Sequence, residues 1–407
     1  MFEDAFYIRQ MWSFSRALDL GLVDEEIERG LQYSLGERHG ERVAYIAMRV
    51  GRLLGFRKGA LVHMTVAGLL HDIGALGCFC EYHGDSRIRE KHCYTGASIV
   101  ERFPAGEILA PAIKYHHETP DPRYAVLGAP ADEVPLMARI LSLADRIDLR
   151  LKRRLCSRRE RDEILEWVTA ETGRLFYPEV AAAFKRVAQK EAFWLDIEQK
   201  DLLQIALGLL FGQWQLPAAR ELEKGFTDNL AATFADLIDQ KSEFTARHSR
   251  LVAEIAEGLA RELGWEDDRL HEIYVAGLLH DLGKLAIPKN ILDKQSPLEP
   301  DEIEIIRTHT YYTHRLLIEA GFPTRLVEWA AHHHEFLNGG GYPFALAGKD
   351  LNEGSRLMAI ADVYAALIED RPYRRAMSSE AALALIEKRA GTVFDPGLVA
   401  LAKGLLA

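Results

Sequence analysis

The second half of the chain carries His248, His280, Asp281, His309, His333, His334 and Asp362. Five imidazoles and two carboxylates exceed what one tetrahedral zinc site takes. Mixed histidine and carboxylate ligation suits iron, manganese or zinc and leaves coordination positions for water. Iron or manganese is the first expectation; nickel and magnesium stay open. A carboxylate such as Asp281 can bridge two cations. Two metals a few ångströms apart can activate water and clamp the oxygens of an in-line phosphoryl displacement. Neighbouring residues on a helix diverge by about 100°. The adjacent pairs His280–Asp281 and His333–His334 can therefore serve one metal or straddle two.

The first half repeats the series. VAGLLHDIG at 66–74 matches VAGLLHDLG at 275–283, and the offset of 209 also carries His39 to His248. Downstream the offset becomes 217, carrying His92 to His309, His116–His117 to His333–His334 and Asp145 to Asp362. The second copy thus has eight extra residues between Asp281 and His309. A single buried histidine would be read as structural. The same residues in the same order twice argue for ligand sets, the first being His39, His71, Asp72, His92, His116, His117 and Asp145. Such a self-similarity means two copies of one domain.

These residues need a scaffold, and the pattern around them is helical. Apolar residues recur at helical spacing over 250–264 and 271–283. Gly264 and Gly321 read as helix C-caps, and Pro300 with Asp301 as a helix start. Strand signals are poor throughout. The expected fold class is all-α, two tandem helical-bundle domains. The domains are placed at 1–200 and 221–407, with 201–220 as a connecting segment marked by Gly208, Gly212 and Pro217. The stretch 221–241 reads as a helix leading into the second copy.

A chain of 407 residues allows two or three cores at roughly 150 residues each. Its 50 basic and 61 acidic residues give a formal charge of −11, which argues against a nucleic-acid polymer as partner. A small phosphate ligand needs only local positive charge or a metal. No apolar run reaches the roughly 18 residues of a membrane span. The start, MFEDAFYIRQMW, lacks a basic signal-peptide region. Four cysteines are too few for a disulfide scaffold, and a cytoplasmic protein is expected.

The set His248, His280–Asp281, His309 and Asp362 resembles the HD superfamily of metal-dependent phosphohydrolases. The second half resembles the HD-GYP subfamily over essentially its whole length. The diagnostic stretches are HDLGKLAIP (280–288), HHEFLNGGGYP (333–343) and ADVYAALIEDRPYRRAM (361–377). Asn338 stands where the subfamily usually has aspartate. The resemblance implies a signalling phosphodiesterase that hydrolyses cyclic di-GMP to pGpG or GMP, or prefers 3′,3′-cyclic GMP-AMP, through a hydroxide bridging two metals. It implies all seven residues as metal ligands, with Asp281 as the catalytic bridge. Lys284 would neutralise charge on the phosphoryl oxygens. Gly341, Tyr342, Arg371 and Arg374 are the implied substrate contacts, the arginines because their planar fork suits phosphate or a guanine edge. Gly339, Gly340 and Gly341 would let backbone approach the ligand. Some relatives hold a third metal with a glutamate one turn before the first histidine. That place is Phe244 here, with Glu243 adjacent, so two metals are expected. Bundles of this type often pair, which makes a homodimer a further expectation.

The first copy keeps the ligands and loses the rest. Ala75 replaces the lysine, HHETPDPRYAVLG has no GYP, and LRLKRRLCSRRER follows Asp145 in place of DRPYR. It reads as a degenerate HD domain that holds metal without a substrate grip, serving as scaffold, sensor or hydrolase of another substrate. The basic run Lys152, Arg153, Arg154, Arg158, Arg159 and Arg161 is interleaved with acids at its end and reads as a solvated helix face. Cys78, Cys80 and Cys93 lie near His83 and His92, but one CxC without a partner pair favours idle thiols over a zinc or redox site. Two other functions compete with the phosphodiesterase. A silent cyclic-dinucleotide receptor need not keep Lys284 and a full ligand set. A nucleotide phosphohydrolase of the broader superfamily need not keep GYP and DRPYR.

Overall fold

The computed structural model describes residues 2–27, 38–75, 86–151, 157–212, 215, 225–241, 247–370 and 375–406. Among these residues there are helices and no strand, grouped in two compact units, Met1–Ala218 and Ala219–Ala407. No helix among them is long and apolar enough to cross a membrane.

Unit 1 runs α1 (Phe2–Ile27), α2 (His39–Leu53), α3 (Lys58–Leu70), a 3₁₀ turn (Ile73–Ala75), α4 (Ser86–Val100), α5 (Gly106–Lys114), α6 (Leu136–Arg150), α7 (Arg158–Ala170), α8 (Pro178–Ala188), α9 (Glu191–Ile197) and α10 (Leu202–Phe211). Unit 2 runs α11 (Phe226–Lys241), α12 (His248–Glu262), α13 (Asp267–Leu279), a 3₁₀ turn (Leu282–Ala286), α14 (Lys289–Leu292), α15 (Pro300–Ala320), α16 (Thr324–Ala331), α17 (Glu353–Ile368), α18 (Ser379–Glu387) and α19 (Pro396–Leu406). The order α2, α3, turn, α4, α5, α6 returns as α12, α13, turn, α15, α16, α17. The insertion in the second copy includes α14. Within the stretch 201–220, the apolar run Leu202–Phe211 folds as α10, which packs on α1, α2, α3 and α9 of unit 1 and ends at Gly212 with φ 68°.

Local signals set the helix ends. Pro300 occupies the first turn of α15, whose N-terminus is closed by reciprocal bonds between Glu299 and Glu302. Gly321 ends it with φ 83°, a left-handed cap that glycine adopts without Cβ strain. On α12, Val252, Ala253, Ala256, Leu259 and Ala260 form one buried stripe at the 3.6-residue period.

The repeated VAGLL segment has a packing cause. A Cβ on Gly277 would lie 2.5 Å from the Cα of Ala253, and one on Gly68 would lie 2.5 Å from the Cα of Ala44. Helices α12 and α13, like α2 and α3, therefore cross backbone against backbone. That crossing brings the first residue of α12, His248, beside the C-cap residue of α13, His280. A second close approach follows. A Cβ on Gly283 would lie 1.9 Å from the carbonyl oxygen of His309. The turn after His280–Asp281 is thus pressed onto α15 at the histidine it must meet.

Candidate metal centre

All seven residues of the second set converge. His280, His309 and His333 share one device: each Nδ1 sits on the carbonyl oxygen three residues earlier, at Gly277 (2.7 Å), Ile306 (2.6 Å) and Ala330 (2.7 Å). A carbonyl only accepts, so each Nδ1 carries the proton and each Nε2 presents a lone pair. The Nε2 atoms of His309 and His333 are 3.3 Å apart, and that of His280 is buried with no hydrogen-bond partner. Opposed lone pairs in a buried site repel unless a cation lies between them. The donor set therefore fits divalent metal.

Asp281 divides the set in two. Its Oδ2 lies 3.2 Å from His280 Nε2, while its Oδ1 lies 3.4 Å from His309 Nε2 and 3.9 Å from His333 Nε2. Asp362 spans similarly, with Oδ1 3.2 Å from His248 Nε2 and Oδ2 3.9 Å from His334 Nδ1. His248, His280 and Asp281 form one group able to hold an ion; His309, His333 and His334 form another.

The electrostatics agree with ligation. Burial depresses His309 to about 3 and lowers His333 and His334, so these imidazoles are neutral donors. Burial opposes ionisation of Asp281, yet His280 and Lys284 hold its carboxyl well below the usual range. Asp362 is held down likewise, against burial, by its bond to His248. Burial would also depress His248, but bonds to Asp362 and to Glu369, 2.8 Å from Nδ1, raise it to about 9.

Lys284 reaches Asp281 from the 3₁₀ turn, with its amine bonded to Oδ2. The ring of Tyr342 lies 4.9 Å from that of His334. Gly341 has a structural cause that the sequence reading did not give it. A Cβ there would lie 2.5 Å from Glu335 Cα and from the His334 carbonyl oxygen. Glycine at this place lets the loop pack directly on the backbone of the HHE segment. Arg371 and Arg374 lie outside the described residues, as do Glu243, Phe244, Lys152–Arg154, Cys78, Cys80 and His83. Of the basic run, Arg159 pairs with Glu163 on an exposed face of α7.

Several positioning residues escaped the sequence reading. Glu369 orients His248. Thr313 accepts the Gly283 N–H at 2.9 Å and donates to the His280 carbonyl at 3.0 Å, clamping the turn to α15. Glu335 accepts from the Phe344 and Leu346 amides at 2.7 and 2.9 Å, tying down the loop after Tyr342. The third letter of HHE was the available signal, since Glu118 does the same with Val126, Leu127 and Ala129. The Arg307 guanidinium lies 5.1 Å from the Tyr342 ring centroid.

Unit 1 assembles its own set. Asp72 Oδ2 lies 3.3 Å from His71 Nε2 and 3.5 Å from His39 Nε2, while Oδ1 lies 3.2 Å from His92 Nε2. His116 Nε2 is 3.1 Å from His92 Nε2, and Asp145 stands 3.5 Å from His39 and 3.9 Å from His117. Here Asp148 orients His39 at 2.7 Å and is itself held by Arg42.

Two HD-domain family profiles match the chain, one over residues 37–150 and another over residues 232–398. The 3′3′-cGAMP-specific phosphodiesterase 1 of Vibrio cholerae is 31% identical over 357 residues, covering 84% of this chain and 80% of that protein. The cyclic di-GMP phosphodiesterase response regulator RpfG of Xanthomonas campestris is 32% identical over 212 residues, 51% of this chain and 55% of its own. In fold, the crystal structure of a V. cholerae cyclic GMP-AMP specific phosphodiesterase, V-cGAP3, matches 98% of this chain and 97% of its own at a TM-score of 0.69 and 24% identity. With both copies matched by HD-domain profiles and a relative aligned along most of its length, the chain belongs to the HD-GYP family of HD-domain cyclic-dinucleotide phosphodiesterases.

Proposed function

We propose that unit 2 hydrolyses a phosphodiester bond of a cyclic dinucleotide, with His248, His280, Asp281, His309, His333, His334 and Asp362 holding two divalent metals. The observation that carries this reading is the division of Asp281, one oxygen toward His280 and the other toward His309, at 3.2 and 3.4 Å. Such a carboxylate is placed to bridge two ions. Iron or manganese suits this mixed histidine and carboxylate set. When bound, the metals supply Lewis acidity and an activated water. The chain's own residues do the rest. Asp281 fixes the spacing of the two halves. Glu369 and the carbonyls of Gly277, Ile306 and Ala330 hold the imidazoles in register. Lys284 offers its charge to the phosphoryl oxygens. Tyr342, beside His334, with Arg371 and Arg374, grips the ligand, and Gly341 lets that loop pack against the HHE backbone.

Two substrates are compared. The relative aligned across both copies is named for 3′,3′-cyclic GMP-AMP, whereas the cyclic di-GMP enzyme aligns over about half of this chain. That favours the mixed dinucleotide, with cyclic di-GMP, opened to pGpG or GMP, as the second reading. The test is hydrolysis of both by the full chain loaded with iron or manganese under reducing conditions. His280→Ala/Asp281→Ala should abolish turnover and remove about two metals per chain. His71→Ala/Asp72→Ala reports separately whether unit 1 contributes. Nucleotide binding by the metal-loaded protein with no turnover would overturn the proposal in favour of a receptor.

A further inference from the structure

Unit 1 departs from unit 2 in one ligand-bearing position that the phosphodiesterase reading does not use. Cys93 follows His92 on α4 and is fully buried. Its Sγ and one ligand nitrogen each of His92, His116 and His117 all lie within 4.8 Å of one another. The corresponding group of unit 2 contains only His309, His333 and His334. The residue matched to Cys93 there is Thr310, whose hydroxyl donates to the Arg307 carbonyl at 3.0 Å. Unit 2 therefore has three imidazoles in this half, with a shared oxygen of Asp281 and no sulfur, which leaves positions for water. Unit 1 adds a sulfur to its three imidazoles, and those four side chains alone make the composition of a closed structural site.

His116 Nδ1 sits on the Ile113 carbonyl at 2.5 Å, so its Nε2 lone pair faces the Nε2 of His92 at 3.1 Å, inside the cluster. Ala75 stands where unit 2 has Lys284, and Glu90 where unit 2 has Arg307, so two cationic groups at the unit 2 site have no counterpart here. Zinc bonds of about 2.0–2.1 Å to nitrogen and 2.3 Å to sulfur put neighbouring ligands roughly 3.3–3.8 Å apart, within small side-chain shifts of the observed cluster.

We propose that unit 1 carries a closed divalent-metal site of zinc or ferrous type, in which the thiolate of Cys93 completes a set with His92, His116 and His117. Sulfur selects such borderline metals over magnesium or manganese. On binding, the thiol proton leaves to solvent and the sulfur lone pair forms the metal bond. Four protein donors on that ion leave no position for a phosphate oxygen.

The test uses cobalt(II) as probe on the full chain carrying His280→Ala/Asp281→Ala, which disables the unit 2 set. No turnover enters the readout, so this proposal and the phosphodiesterase reading fail independently. The expected result is cobalt uptake with a near-ultraviolet sulfur-to-cobalt charge-transfer band. Both Cys93→Ser and Cys93→Thr should lose that band. The threonine variant carries the residue of the matched place in unit 2, and the band measured in a chain carrying Cys78→Ser, Cys80→Ser and Cys156→Ser assigns the sulfur to Cys93 if either variant fails to fold. Cobalt uptake without the band, a band that persists in a folded Cys93 variant, or no uptake by unit 1 would each overturn the proposal.

Discussion

His309 and His333 face each other Nε2 to Nε2 at 3.3 Å, each with its other nitrogen already committed to a backbone carbonyl. Two neutral acceptors at that distance in a buried site store repulsion that a shared cation relieves. Metal should therefore stabilise the fold as well as serve the chemistry. At metal 100-fold above its Kd the gain is about 2.7 kcal/mol. Thermal denaturation with chelator and then with manganese restored should show Tm falling and recovering. The recovery should shrink in His309→Ala/His333→Ala. A Tm indifferent to metal would contradict this reading of the site.

Metal and proton compete at His248. Its pKa in the metal-free chain is raised from 6.5 to about 9, so the stability it contributes is fully present below pH 6.5 and is lost as pH climbs through about 9. At pH 7.5 an incoming ion must displace that proton. The lowered His309, His333 and His334 have none to give. Calorimetric titration in buffers of different ionisation enthalpy, on a chain with His71→Ala/Asp72→Ala and His92→Ala/Cys93→Ala, should report release of about one proton, and affinity rising with pH up to about 9. Loading without proton release would show that His248 is neutral before metal arrives.

Glu369 acts through His248. Glu369→Gln should weaken metal affinity by about 10–100-fold while leaving the ligands in place. Metal titration followed by activity at saturating manganese separates the two effects. Activity should return at high metal if Glu369 only orients the imidazole.

Lys284 is expected to act on the transition state. Lys284→Ala should lower kcat by on the order of 10²–10³-fold with a smaller change in KM. Metal content, measured in parallel, should stay near that of the parent. A loss of metal equal to the loss of rate would reassign the residue to holding Asp281.

Gly283→Ala tests the packing that joins the two halves of the site. The new Cβ would overlap the His309 carbonyl, and forced overpacking costs about 1–3 kcal/mol. The expected outcome is a lower denaturation midpoint together with weakened metal binding, because α15 must move away from the turn that carries Asp281. Gly59→Ala, in open space on α3, is the control and should leave both unchanged.

The sequence by itself determined the candidate ligand inventory, the duplication and the helical class. Histidine and aspartate at repeated offsets are visible as letters, and helical periodicity is local. HDLGK and GYP also set unit 2 apart from unit 1 as letters. What the tertiary structure decided is how those ligands divide. That Asp281 faces His280 with one oxygen and His309 with the other depends on α12 crossing α13 at Gly277 and on Gly283 pressing against α15. These contacts join residues far apart in the chain, and no local pattern announces them. The same holds for Glu369. Its partner His248 lies on another helix, 121 positions away. Cys93 is the sharpest case. As a letter it belonged with a weak CxC, and only folding, by setting α4 against the end of α5, brought its sulfur among three imidazoles.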